Sequence, residues 1–266
     1  MSAQSTPLLA IDGLTAGYGS VDVLHELSLP PLGAGQVTAL LGPNGSGKST
    51  LLKALAGLVR LRAGHARLDR VDLGAMDFAA RARHLAYLPQ SLPAAVHLRV
   101  FESVLVAARA SEADGPPADL DAIERLLQRL GIGHLALCYL DALSGGQKQL
   151  VGLAQALVRR PRVLLLDEPL SALDLNYQFH VMRLLKQETA GHGLITLIVL
   201  HDLNAALQHA DRAVMIHDGR LAAAGAPAEV ITPASLASVY GVRARVETCS
   251  RGRPQVLIDD LEARPH

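Results

Sequence analysis

The stretch Gly42–Thr50, Gly-Pro-Asn-Gly-Ser-Gly-Lys-Ser-Thr, constrains this chain more than any other. An apolar run, Val37–Leu41, precedes it, and Leu51, Leu52 and Leu55 follow at helical spacing. Strand, glycine-rich loop and helix in that order are the setting of a phosphate-binding loop, or P-loop. A triphosphate needs many donors and little steric bulk. Gly42, Gly45 and Gly47 let the backbone curl so that successive N–H groups face inward, a nest for anionic oxygens. Pro43, Asn44, Ser46 and Thr50 complete the cradle. The helix beginning near Lys48 adds unpaired N–H groups and the positive end of its dipole. The pattern places Lys48 at the β- and γ-phosphates and the Ser49 hydroxyl on Mg²⁺. Binding of a nucleoside triphosphate is the expectation.

A chain of 266 residues has room for one large α/β domain, or for such a core with an inserted subdomain. Hydrophobic residues make up 50% of it, aromatics only 3%, and there is no Trp. Its core must therefore be built from Leu, Val, Ile and Ala. The formal net charge is zero, which argues against a general grip on nucleic acid or anionic lipid. Cys138 and Cys249 lie far apart without CxxC spacing, so neither a zinc site nor a disulfide framework is suggested, in keeping with a reducing cytoplasm. The start, Met1–Leu9, lacks the segments of a signal peptide. Apolar stretches such as Leu194–Leu200 are strand-length and far short of a membrane span. If the protein works at a membrane, other chains must provide the pore.

Short strands separated by turns are expected at Leu8–Ile11, Val21–Leu24, Leu27–Leu29 and Val37–Leu41. Tyr18, in Ala-Gly-Tyr-Gly, is either a ring exposed at a turn, able to stack on adenine, or simple packing. Another strand is expected at His65–Leu68. His84–Leu88 runs into Pro89-Gln90, where Gln90 is a surface residue or a carbonyl donor for Mg²⁺. Helical spacing marks Val100–Ala110, Ser111–Ala118 is a polar loop, and Leu120, Ile123, Leu126, Leu127 and Leu130 form an amphipathic helix stopped by Gly131. Residues 91–158 thus read as a helical subdomain inserted between core segments 1–90 and 159–266. Within it, Ser144-Gly145-Gly146-Gln147 opens the helix Lys148–Arg159. Ser144 with Gln147 matches a capping box, and two glycines at a helix start also make an anion site.

Val163–Leu166 is a continuous apolar run of the kind buried in a parallel sheet, and it ends in Asp167-Glu168. Two carboxylates there are costly unless a cation meets them. Mg²⁺ beside the P-loop would be that cation, with Asp167 in the metal shell and Glu168 polarising the attacking water; a structural ion pair is the alternative. The turn Pro169–Asp174 leads into a helix through Tyr177, Val181, Leu184 and Leu185. Leu194–Leu200 ends in His201, a candidate for the γ-phosphate. Three strands so deliver polar residues at their C-terminal ends, the edge where open α/β sheets bind ligands. A hairpin with an Asp218-Gly219 turn follows. The tail, with a short helix near Ala234–Tyr240, shows no chemistry.

In this order, the P-loop, Tyr-Leu-Pro-Gln, Leu-Ser-Gly-Gly-Gln, Leu-Leu-Leu-Asp-Glu-Pro, Ser-Ala-Leu-Asp and a strand-ending His resemble the nucleotide-binding subunits of ABC transporters, from about Leu8 to Asp260. The resemblance implies an α/β P-loop NTPase (RecA-like) core with an antiparallel β subdomain and the inserted α-helical subdomain. It implies an ATPase coupled to transport, with ATP and Mg²⁺ as cofactors. Tyr18 is similar to the adenine-stacking residue of the family. Gln90 resembles the glutamine that senses Mg²⁺ and the transport domain. Ser144, Gly145, Gly146 and Gln147 resemble the signature that closes on the γ-phosphate of the opposite subunit. Asp167 matches the metal-binding aspartate, Glu168 the catalytic base, Asp174 the D-loop and His201 the switch histidine. Arg70 departs from a glycine usual after His65–Asp69, which leaves the shape of that turn open.

Leu98–Arg109, Ser171–Gln178 and Gly225–Val242 resemble the importer branch for iron siderophores, haem and cobalamin, with the ferric-siderophore type nearest. The family geometry implies a homodimer sandwiching two ATP molecules, with Lys48 and His201 stabilising the transferring phosphoryl group. It also implies permease subunits, a substrate-binding protein acting indirectly, and a peripheral location on the cytoplasmic face of the plasma membrane. A soluble ABC ATPase acting on nucleic acid is the competing reading. The short interval from P-loop to signature and the zero net charge oppose it.

Overall fold

Strands that are apolar throughout and strands that alternate build two different sheets in the computed structural model, which describes residues 8–91, 97–110 and 119–262. Among these residues the strands are β1 (Leu8–Tyr18), β2 (Val21–Gly33), β3 (Gln36–Leu41), β4 (Leu61–Leu68), β5 (Val71–Asp72), β6 (Leu85–Leu88), β7 (Val163–Leu166), β8 (Ile195–Val199), β9 (Arg212–His217), β10 (Arg220–Gly225), β11 (Val242–Thr248) and β12 (Pro254–Leu261). The helices are α1 (Lys48–Ala56), α2 (Phe78–His84), α3 (Val100–Ala110), α4 (Leu120–Arg129), α5 (Gly145–Val158), α6 (Leu175–His192), α7 (Leu203–His209), α8 (Pro227–Val230) and α9 (Pro233–Tyr240). The expected loop at 111–118 lies outside the described residues.

The larger sheet has the order β10-β9-β3-β8-β7-β6. It is parallel from β9 to β6, with β10 returning antiparallel through the Asp218-Gly219 turn. Every residue of β7 and β8 is buried, as a sheet covered on both faces requires. Side chains alternate between two cores. Leu164 and Leu166 face a cluster that includes Val104, Leu127, Leu150 and Leu185. Val163 and Leu165 face the other, with Leu9, Ile11, Leu51 and Leu55. Helices α3 to α6 therefore contribute to one apolar layer, and α1 with the antiparallel sheet to the other. Among the described residues no helix is long and apolar enough to cross a membrane.

The antiparallel sheet, order β2-β1-β4-β5, corrects one expectation. The three short strands read at Leu8–Ile11, Val21–Leu24 and Leu27–Leu29 are parts of two long ones. Gly13 (φ 60°) and Glu26 (φ 51°) adopt left-handed backbone, and the register between β1 and β2 shifts around Leu14 and Ala16. A bulge absorbs such a residue without ending the ladder. After β4 the turn is made by Asp69, which takes φ 56°. Its carboxylate accepts from Leu8 N at 2.9 Å and is held below the usual carboxylate range chiefly by its bond to Arg162. The left-handed position falls on Asp69, so Arg70 is tolerated.

The helical segments match their patterns closely. In α4, Ile123, Leu126 and Leu127 are buried and Asp119 caps the N-terminus through Ala122 N. The helix expected from Lys148 begins three residues earlier, at Gly145, because Ser144 is its N-cap. Helix α8 was not anticipated; Pro227 starts it, and Glu229 accepts from Ala226 N at 3.0 Å.

Candidate ATP site

Strand register brings the polar residues together. Leu40 pairs with Val199, Ile198 with Leu166 and Leu166 with Leu88, so β3, β8, β7 and β6 end in line. Gly42, His201, Asp167-Glu168 and Gln90 emerge along that one edge. Backbone geometry explains the glycines there. Gly42 has φ 143°, and a Cβ on it would lie 2.1 Å from Ile216 O. A Cβ on Gly47 (φ 103°) would lie 2.7 Å from a Leu24 methyl, whereas one on Gly45 (φ 80°) would meet open space. Gly42→Ala is expected to cost about 2–4 kcal/mol of stability through strain and displacement of β9. A lower midpoint in chemical denaturation, together with lost nucleotide binding, is the result to look for.

Helix α1 starts at Lys48 with no side-chain cap and no acidic residue in its first turn. Its positive end is thus left for an anion. Lys48 is buried, and its Nζ donates to Gly42 O and Pro43 O, each at 2.8 Å, and to Ser46 Oγ at 3.4 Å. Burial pushes the ammonium's pKa down, against the raising pull of Glu168 and then Asp167. Phosphate oxygens would be stronger acceptors than these carbonyls.

Asp167 is 2% exposed. Its Oδ1 accepts from Ser49 Oγ at 2.9 Å and its Oδ2 from Tyr87 OH at 3.1 Å. Burial and the adjacent Asp167 carboxylate push the Tyr87 phenol up, so it stays a donor. Glu168 has the left-handed φ of 50°, a strained value for a residue with a side chain. Its carboxylate is held by Gln90 Nε2 at 2.6 Å on one oxygen and His201 Nε2 at 2.6 Å on the other. Gln90 and His201 thus meet on Glu168. Tyr18, the last residue of β1, is 49% exposed. It lines one cleft of about 520 Å³ together with Asn44–Thr50, Gln90, Glu168 and His201.

The structure does not bring every expected residue into this cleft. Ser144, Gly145, Gly146 and Gln147 lie at the start of α5, where both bonds of the capping box are present: Gln147 N to Ser144 Oγ at 3.3 Å and Ser144 N to Gln147 Oε1 at 2.9 Å. Asp174 is the N-cap of α6, accepting from Tyr177 N at 2.9 Å. A Cβ on Gly146 would lie 2.7 Å from Ala172 O, so that glycine lets α5 pack on the Pro169–Asp174 turn. A Cβ on Gly145 would meet open space, so packing within this chain does not call for a glycine there.

Sequence reading missed three neighbours of the loop. Tyr87 orients Asp167, and its place three residues before Gln90 was the available signal. Gly219 N donates to Ser46 O at 3.0 Å, which sets the Asp-Gly hairpin against the P-loop. Tyr240 OH accepts from Gly42 N at 2.7 Å, a contact between the tail and the P-loop that no local pattern signalled.

Ser49 Oγ and Asp167 Oδ1 stand side by side as hard oxygen donors. Among the described residues no group of three or more His, Cys, Asp or Glu could hold a metal alone. That donor set fits Mg²⁺, which takes one or two protein oxygens and completes its shell with water and substrate phosphates.

The chain is similar over most of its length to known proteins. The family model described as ABC transporter matches residues 24–171. An uncharacterised ABC transporter ATP-binding protein of Methanocaldococcus jannaschii is 35% identical over 95% of this chain and 98% of its own. The hemin import ATP-binding protein HmuV of Pseudomonas entomophila is 39% identical over 94% of this chain and 99% of its own. The achromobactin transport ATP-binding protein CbrD of Dickeya dadantii is 37% identical over 88% and 87%. Among solved structures, an ATP-binding subunit of an ABC transporter superposes with a TM-score of 0.74 at 26% identity, over 84% of this chain and 91% of that one. A phosphate-binding loop, a carboxylate pair and a strand-ending histidine aligned on one parallel-sheet edge, with these relatives, establish that the chain belongs to the ABC transporter family as an ATP-binding subunit with ATPase activity.

Proposed function

We propose that this chain hydrolyses ATP at the cleft described above to power uptake of an iron complex, a ferric siderophore or haem, through a membrane permease. The observation that carries the catalytic part is the convergence of Lys48, Ser49, Gln90, Asp167, Glu168 and His201 at one sheet edge. The cargo class is supported by relatives named for hemin import and achromobactin transport. The two names support haem and siderophore equally, and cobalamin only through the sequence resemblance. Transport assays with the permease in vesicles, using hemin and ferric achromobactin as separate probes, distinguish the two. Uptake of neither, by vesicles that do hydrolyse ATP, would exclude these two cargoes and remove the support that the relatives' names give.

In the proposed cycle Tyr18 stacks on adenine, and residues 42–50 cradle the phosphates. Ser49 and Asp167 would hold Mg²⁺, with Gln90 reaching it through its side-chain oxygen. When bound, the metal neutralises charge on the β- and γ-oxygens. Lys48 leaves the Gly42 and Pro43 carbonyls for the phosphates. Glu168 is released by Gln90 or His201 to orient the attacking water, and His201 turns to the γ-phosphate. The signature Ser144–Gln147 does not line the cleft of its own chain. It therefore acts on the nucleotide of a second copy, in an isologous pair on the cytoplasmic face of the membrane. The segment 91–158 is the unit through which closure reaches the permease, and a substrate-binding protein delivers the cargo from the far side.

Gly145 gives this a sharp test. An Asp at the first helical position of α5 suits the helix dipole, and the space around Gly145 is open. Gly145→Asp is therefore expected to leave the nucleotide-free protein at least as stable as the parent. A negative charge facing the γ-phosphate of the second copy should lower ATP-driven dimerisation and turnover by about 100-fold. Turnover at the parent rate would remove the shared site.

A further inference from the structure

The family match ends at residue 171, yet the segment beyond Thr232 is bonded at two places to elements that adjoin the nucleotide cleft. At the first, Tyr240, the last residue of α9, places its hydroxyl oxygen 2.7 Å from Gly42 N, which donates to it. Gly42 is the residue whose carbonyl receives Lys48 Nζ at 2.8 Å, and whose other side lies against Ile216 O with no room for a Cβ. Burial pushes the Tyr240 phenol's pKa up, so the group is a neutral hydroxyl at working pH. Gly241 follows in the left-handed conformation (φ 65°) and ends α9 there, which fixes the height of the ring relative to the loop.

The second contact is made to α7. The Asn204 side chain grips the backbone of Val256 in β12, accepting from Val256 N at 2.8 Å and donating to Val256 O at 3.4 Å. Asn204 lies in the first turn of α7, three residues after His201. Val256 itself is 7% exposed and belongs to the core that holds Leu200 and Ala206. The tail is thus bonded to the P-loop at one end and to the His201-bearing segment at the other.

We infer that the tail is a brace for the nucleotide site, in which Tyr240 is a positioning residue that holds the Gly42 peptide while Lys48 exchanges loop carbonyls for phosphate oxygens. The physical reason lies in what Lys48 does alone. In the nucleotide-free arrangement the lysine itself ties the loop together through Gly42 and Pro43. Once phosphates draw the lysine away, those carbonyls lose that donor, and the bond from Gly42 N to Tyr240 anchors the Leu41–Gly42 peptide directly before the freed Gly42 carbonyl. A buried N–H deprived of its acceptor is costly in either state, but the free loop keeps its ties to Lys48 and the bound loop does not, so the bound state suffers more when the phenol oxygen is removed.

The inference rests on the cleft being the ATP site, and the experiment separates the two. Tyr240→Phe keeps the ring and deletes the acceptor. ATP turnover and equilibrium binding of a fluorescent ATP analogue are measured for the parent, Tyr240→Phe and Lys48→Met. The expected result for Tyr240→Phe is a rise in KM and Kd of about tenfold, with kcat within about twofold of the parent. A purely structural role would lower the thermal midpoint and leave KM and Kd unchanged. Unchanged KM and Kd in Tyr240→Phe, with Lys48→Met unable to bind, overturns the brace alone. Undiminished binding by Lys48→Met overturns the cleft as the ATP site. Should Tyr240→Phe fail to fold, Asn204→Ala takes its place, since it loosens β12 without touching the ring. A KM rise of about threefold is then expected, and an unchanged KM overturns the inference.

Discussion

Glu168→Gln should leave ATP bound, lower hydrolysis by about 10²–10⁴-fold and hold two copies together. The change is nearly isosteric, so the strained backbone at φ 50° and the neighbouring Ser171 contacts to Glu168 O at 3.0 and 3.3 Å are retained. What disappears is the negative charge that His201 and Gln90 now hold at 2.6 Å each. Without it the end of β7 keeps only Asp167, whose two oxygens are engaged by Ser49 and Tyr87, so the attacking water loses its base. Binding depends instead on the loop amides, Lys48 and the Ser49–Asp167 pair, none of which is altered. Removing a like charge from the phosphate region should even favour the bound form. Light scattering with ATP reads the outcome. A dimer that persists for hours is expected in the variant, against a transient one in the parent. A variant that hydrolyses at the parent rate would remove Glu168 from the chemistry, and one that stays monomeric with ATP would remove the shared clamp.

Lys48→Met is the complementary case, in which binding itself goes. Lys48 is 5% exposed, and a charge-assisted contact to phosphate from so buried an ammonium is strong. An affinity loss of about 10²–10³-fold is expected, comparable to removal of one preorganised donor from an anionic site. Methionine retains most of the apolar stem, but the carbonyls of Gly42 and Pro43 lose their donor. The nucleotide-free protein should therefore lose about 1–3 kcal/mol. The parent, by contrast, should gain about 2.7 kcal/mol at ATP concentrations 100 times its Kd. Thermal unfolding with and without ATP checks both statements: a small drop in the empty midpoint, and no upward shift on adding nucleotide. An ATP-induced shift equal to the parent's would mean that the ligand sits elsewhere.

The site was more legible in the chain than its surroundings. Walker-type spacing from Gly42 to Thr50, the carboxylates after an apolar run and the histidine after another are local patterns. Each pattern names a strand end, and parallel strands place their ends on one edge by construction. The strand breaks in the first 33 residues were misread for a physical reason. Gly13 and Glu26 interrupt the alternation in the same way as a turn does, and only pairing with the neighbouring strand shows that the chain continues through a bulge. Similarly, Ser144 and Gln147 satisfied two readings at once. The structure shows the capping box complete and leaves Gly145 exposed with open space around it.

Residue pattern alone determined that this chain has a nucleotide cradle, a paired-carboxylate strand end and an amphipathic helical insertion. These depend on neighbours within a few positions, where spacing and chemistry suffice. Tertiary structure alone decided which partner each polar group at this sheet edge meets: Gln90 and His201 on the same carboxylate, Tyr87 on Asp167, Tyr240 on Gly42. Those pairs span 78, 33, 80 and 198 positions. No local periodicity encodes such a contact, because it is set by the packing of whole layers, through which the register of β3 and the seating of α9 become one distance.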